Sequence, residues 1–331
     1  MVTMHDVASK AGVSRATVSR VLSDPNSVKD ETKRNVLFWI NQLGYQPNKI
    51  AQALAGNRSG VIGVVVPNIT NPYYSELVNF AEEIASNQGY SIILCCSHNS
   101  LEKERRIFIN LKSRNAEGIL IFPVSTEDEK YSTLDIPCVT LGRILKSKMA
   151  VVSDLESGAM KVAKHFIQNG YDKIGFFGPT SGIPGFDKYF GFSNYLKDAG
   201  IKLTDIIEIP SKRESLQELL ENYHMLHGMQ SKAWFAHNDD AAVYLINYFC
   251  KRDVKVPDEV IVAGYDDTIL SKNFFPAITS VHQPIGEMVN KAFNLLLEQI
   301  VSCNTNPEIY RFDNELVVRT STNQQKKYFN K

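Results

Sequence analysis

The sequence predicts two unlike parts, a small all-α headpiece at the N-terminal end and a two-lobed α/β core of doubly wound parallel sheets. Three observations lead there. Residues 4–43 hold short helical runs punctuated by glycine and capping residues; from Val61 onward apolar strand-like runs alternate with amphipathic helical ones; and that alternation restarts after Asp154. With 331 residues, 44% of them hydrophobic, the chain exceeds one average domain and can bury at least one large core. Two or three folding units are expected.

The first helix is predicted over 5–11. Gly12 ends it, because glycine takes the positive φ of a tight turn without steric cost, and Ser14 follows as a natural N-cap for a second helix over 15–22. This is a helix-turn-helix signature. Asp24-Pro25-Asn26-Ser27 reads as a loop, after which Asp30 and Glu31 place negative charge in the first turn of a longer helix running through Val36, Ile40 and Leu43 to Gly44. Val7, Ala8 and Ala11 share one face of the first helix, and Val13, Val18 and Val21 turn inward from the turn and the second. Arg15, Ala16, Ser19 and Arg20 are left on the outer face. Next, Pro47-Asn48 can start a helix, residues 50–55 are alanine-rich, and Gly56-Asn57-Arg58-Ser59-Gly60 is a flexible linker. A helix of about six residues is marginal alone and needs a partner to form.

In the core, strands are predicted at 61–67, 91–95, 118–122 and 138–141, with helices at 74–87 and 101–114 between them. After Asp154 follow a helix over 156–169, a strand at 173–177, helices over 186–198 and 216–225, a strand at 233–237, a helix over 241–252 and a strand at 260–264. Near-continuous apolar runs are what strands covered on both faces require. Two such lobes leave a cleft between them, where open parallel sheets bind ligands. Lys103-Glu104-Arg105-Arg106 reads as a solvated helix face, and Leu77, Phe80 and Ile84 suit either the core or a dimer surface.

The formal net charge of zero conceals an asymmetry. Up to Arg58 there are eight Lys/Arg against four Asp/Glu, a net of +4 that leaves −4 on the remainder. A basic end on a mildly acidic body suits nucleic-acid contact at that end only. The five cysteines are odd in number and show neither a disulfide framework nor zinc spacing; Cys138, Cys250 and Cys303 stand alone in apolar surroundings. No basic segment followed by an apolar one opens the chain, and no run of about 18 apolar residues occurs, so a reducing, cytoplasmic location is expected. Glycine-rich dinucleotide or phosphate loops and a Gly-x-Ser-x-Gly elbow are missing, and His224 and His227 lack a third metal ligand. No enzyme, cofactor or metal is expected.

The run from Asp6 to Leu22, with Gly44-Tyr45-Gln46-Pro47-Asn48 and Ala51-Gln52-Ala53-Leu54-Ala55, resembles the headpiece and hinge of the lactose-repressor and galactose-repressor family. The resemblance continues through Gly63-Val64-Val65-Val66-Pro67-Asn68, Asn71-Pro72-Tyr73-Tyr74, Asn238-Asp239, Val256-Pro257-Asp258-Glu259 and Gly264-Tyr265-Asp266-Asp267. It ends with Pro276-Ala277-Ile278-Thr279-Ser280-Val281-His282-Gln283-Pro284 and so spans nearly the whole chain. It implies a repressor that binds a pseudo-palindromic operator as a homodimer, with a periplasmic-binding-protein-like core that senses a small molecule. The implied parts are a headpiece over 1–45, a hinge over 46–60 and a core over 61–331. Lobe one takes about 61–154 plus 286–313, and lobe two about 155–283 plus 314–321.

By the same resemblance Arg15 and Ala16 are the main base-reading residues and Arg20 a further base or backbone contact. Arginine can bond guanine O6 and N7 in bidentate fashion, and alanine can offer its methyl to thymine. Ser14, Thr17 and Ser19 belong to the same contact surface, Thr17 and Ser19 as phosphate contacts, with Asn48 at the hinge. Leu54 matches the hinge leucine that wedges into a minor-groove step, which accounts for a lone Leu in an alanine-rich helix with little core to fill. For the effector the resemblance nominates Tyr73, Asp154, Lys188, Asn238 and Asp266. Asp154 is equally placed to cap the helix that follows it.

One departure stands out. Where the family usually has an arginine that grips the ligand, three residues before Gly191, this chain has Lys188, a point charge without the fork. Lys212 and Arg213 lie near where relatives carry an aromatic residue, and the loop from Gly178 to Gly185 is poor in polar side chains. An anionic or phosphorylated effector is therefore set beside a neutral sugar. A phosphocarrier protein as partner, a pure solute-binding protein and a doubly wound enzyme are the rival readings. The polar tail after Arg319 lacks leucine heptads, which argues against a tail-built tetramer.

Overall fold

The structure, a computed structural model, describes residues 2–45, 58–131, 134–181, 186–210, 215–302 and 306–323. The chain divides into two compact units, Met1–Ser59 and Gly60–Lys331.

In the first unit α1 (Met4–Ala11) starts at a capping box. Asp6 N donates to the Thr3 hydroxyl, and the Asp6 carboxylate accepts from Thr3 N at 2.8 Å. Gly12 closes the helix at φ +68°, and since an added Cβ would meet no atom within 4 Å, the positive φ rather than space is what calls for glycine. Ser14 then caps α2 (Arg15–Ser23), its Oγ accepting from Thr17 N at 3.1 Å. α3 (Asp30–Leu43) is tied to the first helix by Asn35, whose Nδ2 donates to Ala11 O at 2.9 Å. Val7, Ala8, Ala11, Val18, Val21 and Val36 close the core between them. The expected hinge helix, with Asn48 and Leu54, lies outside the described residues.

The second unit holds two six-stranded sheets. In the first, β1 (Val61–Val66) lies between β2 (Ser91–Cys96) and β3 (Gly118–Ile121). β4 (Cys138–Leu141), β5 (Met149–Ser153) and β11 (Ile309–Phe312) follow outward, every pairing parallel. The second runs β7 (Asp205–Glu208), β6 (Ile174–Gly178), β8 (Ala233–Ala236), β9 (Ile261–Asp266), β10 (Thr279–His282) and β12 (Glu315–Val317). Only β12 in that sheet is antiparallel to its neighbour. The chain passes between the sheets three times, after β5, β10 and β11.

Helices cover both faces of each sheet. On the first, α4 (Pro72–Asn87) and α11 (Ile285–Ser302) bury Leu77, Phe293 and Leu296 against Ile62 and Val64, while α5 (Leu101–Ser113) sets Phe108 and Leu111 against Val65 and Ile119. Phe80 and Ile84 pack with the same core. On the second, α6 (Leu155–Gln168) and α7 (Phe186–Asp198) cover Phe176 and Phe235, and α8 (Leu216–His227) and α9 (Asp239–Cys250) cover Trp234 and Val262. α6 and α7 approach so closely that a Cβ on Gly191 would lie 2.5 Å from Glu156 O. A short α10 (Ile269–Asn273) follows β9.

Three expectations are corrected. Glu104 is not on a solvated face: it is fully buried and accepts from Tyr131 Oη at 2.7 Å and Val124 N at 3.0 Å. Its position, four before Phe108 and seven before Leu111, places it in the inward stripe of α5. Cys250 is exposed rather than surrounded by apolar groups, and Cys303 lies outside the described residues. The alternation of strands also continues through β5, β7, β10, β11 and β12, runs of three to five residues too short to show a period. No helix among the described residues is long and apolar enough to cross a membrane, and no three of their His, Cys, Asp and Glu residues group to hold a metal ion.

Candidate functional site

Two surfaces carry the chemistry. On the first unit, Ser14, Arg15, Ala16 and Arg20 are exposed along α2, while Val18 and Val21 are buried beneath them. Among the described residues the Arg15 and Arg20 guanidiniums have no ion-pair partner. Thr17 and Ser19 are half-buried, and the Thr17 hydroxyl lies 2.9 Å from Ser14 Oγ, so capping and phosphate contact would share one pair of hydroxyls. Among the described residues the face is cationic, capped by Ser14 and exposed, as a helix that reads a groove must be.

The second surface is a cleft in the core, a cavity of about 120 Å³ at the C-terminal ends of both sheets. On lobe two, Lys188 is buried and fully engaged. Its Nζ donates to Asp266 Oδ1 at 3.0 Å and to His237 O at 2.9 Å, and lies 3.9 Å from the centroid of Tyr265. Asp266 and Asp267, at φ +98° and +51°, are successive non-glycine residues in the left-handed region at the end of β9, a strain of about 1–3 kcal/mol each. Asp267 is held there by Arg319 Nη2 at 2.6 Å and Ser271 Oγ at 3.0 Å. Beneath them Asp239 accepts from Thr268 N, Thr268 Oγ1 and Ser280 Oγ, and burial, with the Asp266 charge beside it, pushes its carboxyl up to about 7. His237 is kept neutral, drawn down to about 3 by burial and by Lys188; its Nδ1 is buried without a partner among the described residues.

Lobe one supplies an aromatic wall. Tyr73, Tyr74 and Phe122 meet edge to face at centroid distances of 5.2–6.2 Å. Burial pushes the Tyr74 hydroxyl up to about 12, so it remains a donor. Arg143, just past β4, completes this wall with its Nη1 donating to Pro123 O and Val124 O, both at 2.6 Å. The lobes are joined by Gln283: its Oε1 accepts from Ser153 Oγ and from Tyr73 Oη, and its Nε2 donates to Asp266 Oδ1 at 2.7 Å.

Of the five residues nominated for the effector, Tyr73, Lys188, Asn238 and Asp266 line this cleft. Asp154 caps α6 instead, its Oδ1 accepting from Ser157 N at 3.0 Å. Asn238 combines both roles, capping α9 through Oδ1, 2.8 Å from Ala241 N. Tyr73 offers only part of its ring, since Tyr74 and Phe122 pack against it and it is buried. Lys212 and Arg213 lie outside the described residues. Arg143, His237 and Gln283 escaped the sequence reading, although each directly follows a parallel strand, where ligands of open sheets bind.

Comparison with known proteins finds matches in both parts of the chain. Residues 3–48 match the family described as bacterial regulatory proteins, lacI family, and residues 163–322 match a periplasmic binding protein-like domain. The ribose operon repressor of Halalkalibacterium halodurans is 32% identical, covering 97% of this chain and 97% of that protein. The HTH-type transcriptional repressor PurR of Photobacterium profundum is also 32% identical, over 97% and 98%. Among solved structures, a periplasmic binding protein/LacI transcriptional regulator from Alkaliphilus metalliredigens complexed with D-xylulofuranose is 26% identical with a TM-score of 0.73, covering 80% of this chain and all of that one. A lac repressor dimer bound to operator and an anti-inducer shares the fold at a TM-score of 0.85 and 24% identity, over 97% and 99%. The chain therefore belongs to the lacI family of bacterial regulatory proteins, DNA-binding transcriptional repressors and not enzymes.

Proposed function

We propose that this chain represses a carbohydrate-utilisation operon from the cytoplasm, as a homodimer on a palindromic operator whose occupancy a small metabolite controls. The observation that carries the reading is the union, in one chain, of an exposed cationic face on α2, without ion pairs among the described residues, and a polar cleft in the core. Arg15 reads guanine and Ala16 a thymine methyl, Arg20 adds a base or backbone contact, and Ser14, Thr17, Ser19 and Asn48 position the headpiece on phosphates. The headpiece comprises residues 1–45, the hinge 46–60 and the core 61–331. Leu54 wedges into a minor-groove step at the dimer axis.

In the cleft the effector meets Tyr73, Lys188, Asn238 and Asp266, and Gln283 bonds both lobes at once, so a ligand that prefers one lobe arrangement shifts the population able to hold DNA. The cleft favours a small molecule, a sugar or an anionic or phosphorylated metabolite, over the phosphocarrier protein. The test is selection of bound DNA from a random pool with the full chain, with and without candidate metabolites. Enrichment of a palindrome is expected, and a pool that stays random overturns the reading. On the selected site, Leu54→Ala is expected to weaken specific binding far more than non-specific binding.

A further inference from the structure

The two cations of the cleft are in opposite electrical states. Lys188 already faces the Asp266 carboxylate, a carbonyl and an aromatic ring, so its charge is balanced within the protein. Arg143 is half-buried, and the only bonds of its side chain among the described residues run from Nη1 to two neutral carbonyls. No carboxylate among them stands within ion-pair reach of it. The acids whose fields it feels are elsewhere engaged or on the facing lobe: Glu104 is held by Tyr131 and Val124, and Asp187 belongs to α7. The chain outside the described residues contains one acidic side chain, Glu214. Burial draws the Arg143 guanidinium below its ordinary value, against the opposing fields of Tyr74, Tyr131, Glu104 and Asp187.

The two carbonyls fix the guanidinium plane and leave its Nη2 and Nε donors without a bond among the described residues. A planar fork held in this way matches a carboxylate or phosphate in bidentate fashion. Opposite, Asp266 Oδ1 is taken by Lys188 and Gln283 while its Oδ2 makes no bond among the described residues; Asn238 keeps its Nδ2 donors. Closing the lobes over a neutral ligand would bury the Arg143 charge further with no anion bonded to its free Nη2–Nε edge.

Resting on the reading of this cleft as the effector site, we infer that Arg143 is its anion anchor. The effector is then a polyhydroxylated anion whose carboxylate or phosphate pairs with the Nη2–Nε edge of Arg143 and whose hydroxyls reach Asp266 and Asn238. Tyr74 and Phe122 cover an apolar face of the same molecule. Specificity for the anion thus lies on lobe one, and the family's ligand-gripping position on lobe two, here Lys188, has become an internal tie.

The experiment is calorimetric titration of the full chain, without DNA, against three matched sets: neutral pentoses and hexoses, the corresponding aldonates, and the corresponding sugar phosphates. One of the two anionic sets is expected to contain the tightest ligand, and which set it is separates carboxylate from phosphate. Arg143→Gln should weaken that ligand about 10- to 100-fold, as loss of hydrogen bonds to a charged group does. Arg143→Lys, which keeps the charge and can still bond the carbonyls, should weaken it less and leave the thermal unfolding of the free protein near that of the parent. A neutral sugar that binds as tightly as its acid and its phosphate overturns the inference, as does an anion whose affinity stays within about twofold in both variants. Because no DNA is present, a failed operator selection leaves this result standing, and a preference for neutral sugars here leaves the operator reading untouched.

Discussion

The cationic face of α2 and the cleft of the core are built in opposite ways. The first draws its residues from one stretch of seven, Ser14 to Arg20, and leaves Arg15, Ala16 and Arg20 exposed and free of side-chain bonds among the described residues. The second gathers residues from Tyr73 to Gln283 and engages them with one another before any ligand arrives, through Gln283, Asp266 and Lys188. A substitution on the face should therefore change DNA binding without touching the fold, whereas one among the mutually bonded residues of the cleft should change both.

The strongest challenge to this contrast is Asp266→Ala. It leaves Lys188 buried opposite no carboxylate, and removing one partner of such a pair costs about 3–5 kcal/mol. Denaturant unfolding should show a loss in that range, with the slope unchanged. Replacing both partners, Lys188→Met with Asp266→Asn, which still tolerates the positive φ, should recover most of the loss. A stability within about 1 kcal/mol of the parent for Asp266→Ala would show that Lys188 simply turns out to solvent, and with it the claim of an internal tie would fall.

The same contrast explains how much could be read from the chain. The headpiece was legible because its determinants are local: a glycine at a positive φ, a serine cap and a stripe of valines all fall between Val7 and Val21. In the core, Asp266 and Lys188 were found as separate residues, but their pairing was not, since they stand 78 positions apart and only the closure of the second sheet brings them together. Asp154, which caps α6 and is not among the residues lining the cleft, shows the limit from the other side. A side chain between a strand and a helix can cap the helix or reach the cleft, and local sequence does not distinguish the two. Glu104 shows that a charged tetrad can hide a buried carboxylate when helical spacing is set aside in favour of charge.

On the other side of the comparison, Arg15→Ala should leave unfolding within about 0.5 kcal/mol of the parent, as expected for an exposed side chain without partners. Specific operator affinity should fall by about 1–3 kcal/mol in each half-site, with base preference relaxed at one position. Binding to the selected site and to single-base variants of it checks both parts. A uniform loss across all sequences would instead place Arg15 on phosphate.

The finest distinction concerns pH, because the turn that presents Asp266 is braced by a titratable group and α2 is not. His282 Nδ1 lies 3.1 Å from Asp267 Oδ2; this bond raises the imidazole above its ordinary value against the opposing effect of burial, with Glu315 adding to the rise and Lys272 reducing it. A folded value above the unfolded one, about 6.5, means that the stabilisation is complete below that pH and is lost as the pH rises through the folded value. The stability difference between the parent and His282→Gln should thus be largest near pH 5.5 and shrink toward pH 8. With the side chain 45% exposed, screening keeps that difference below about 1 kcal/mol. If the difference were instead constant with pH, His282 would hold Asp267 as a neutral Nδ1–H donor. The left-handed turn at the floor of the cleft would then depend on a hydrogen bond and not on a charge, and Asp266 would keep its place as the pH rises.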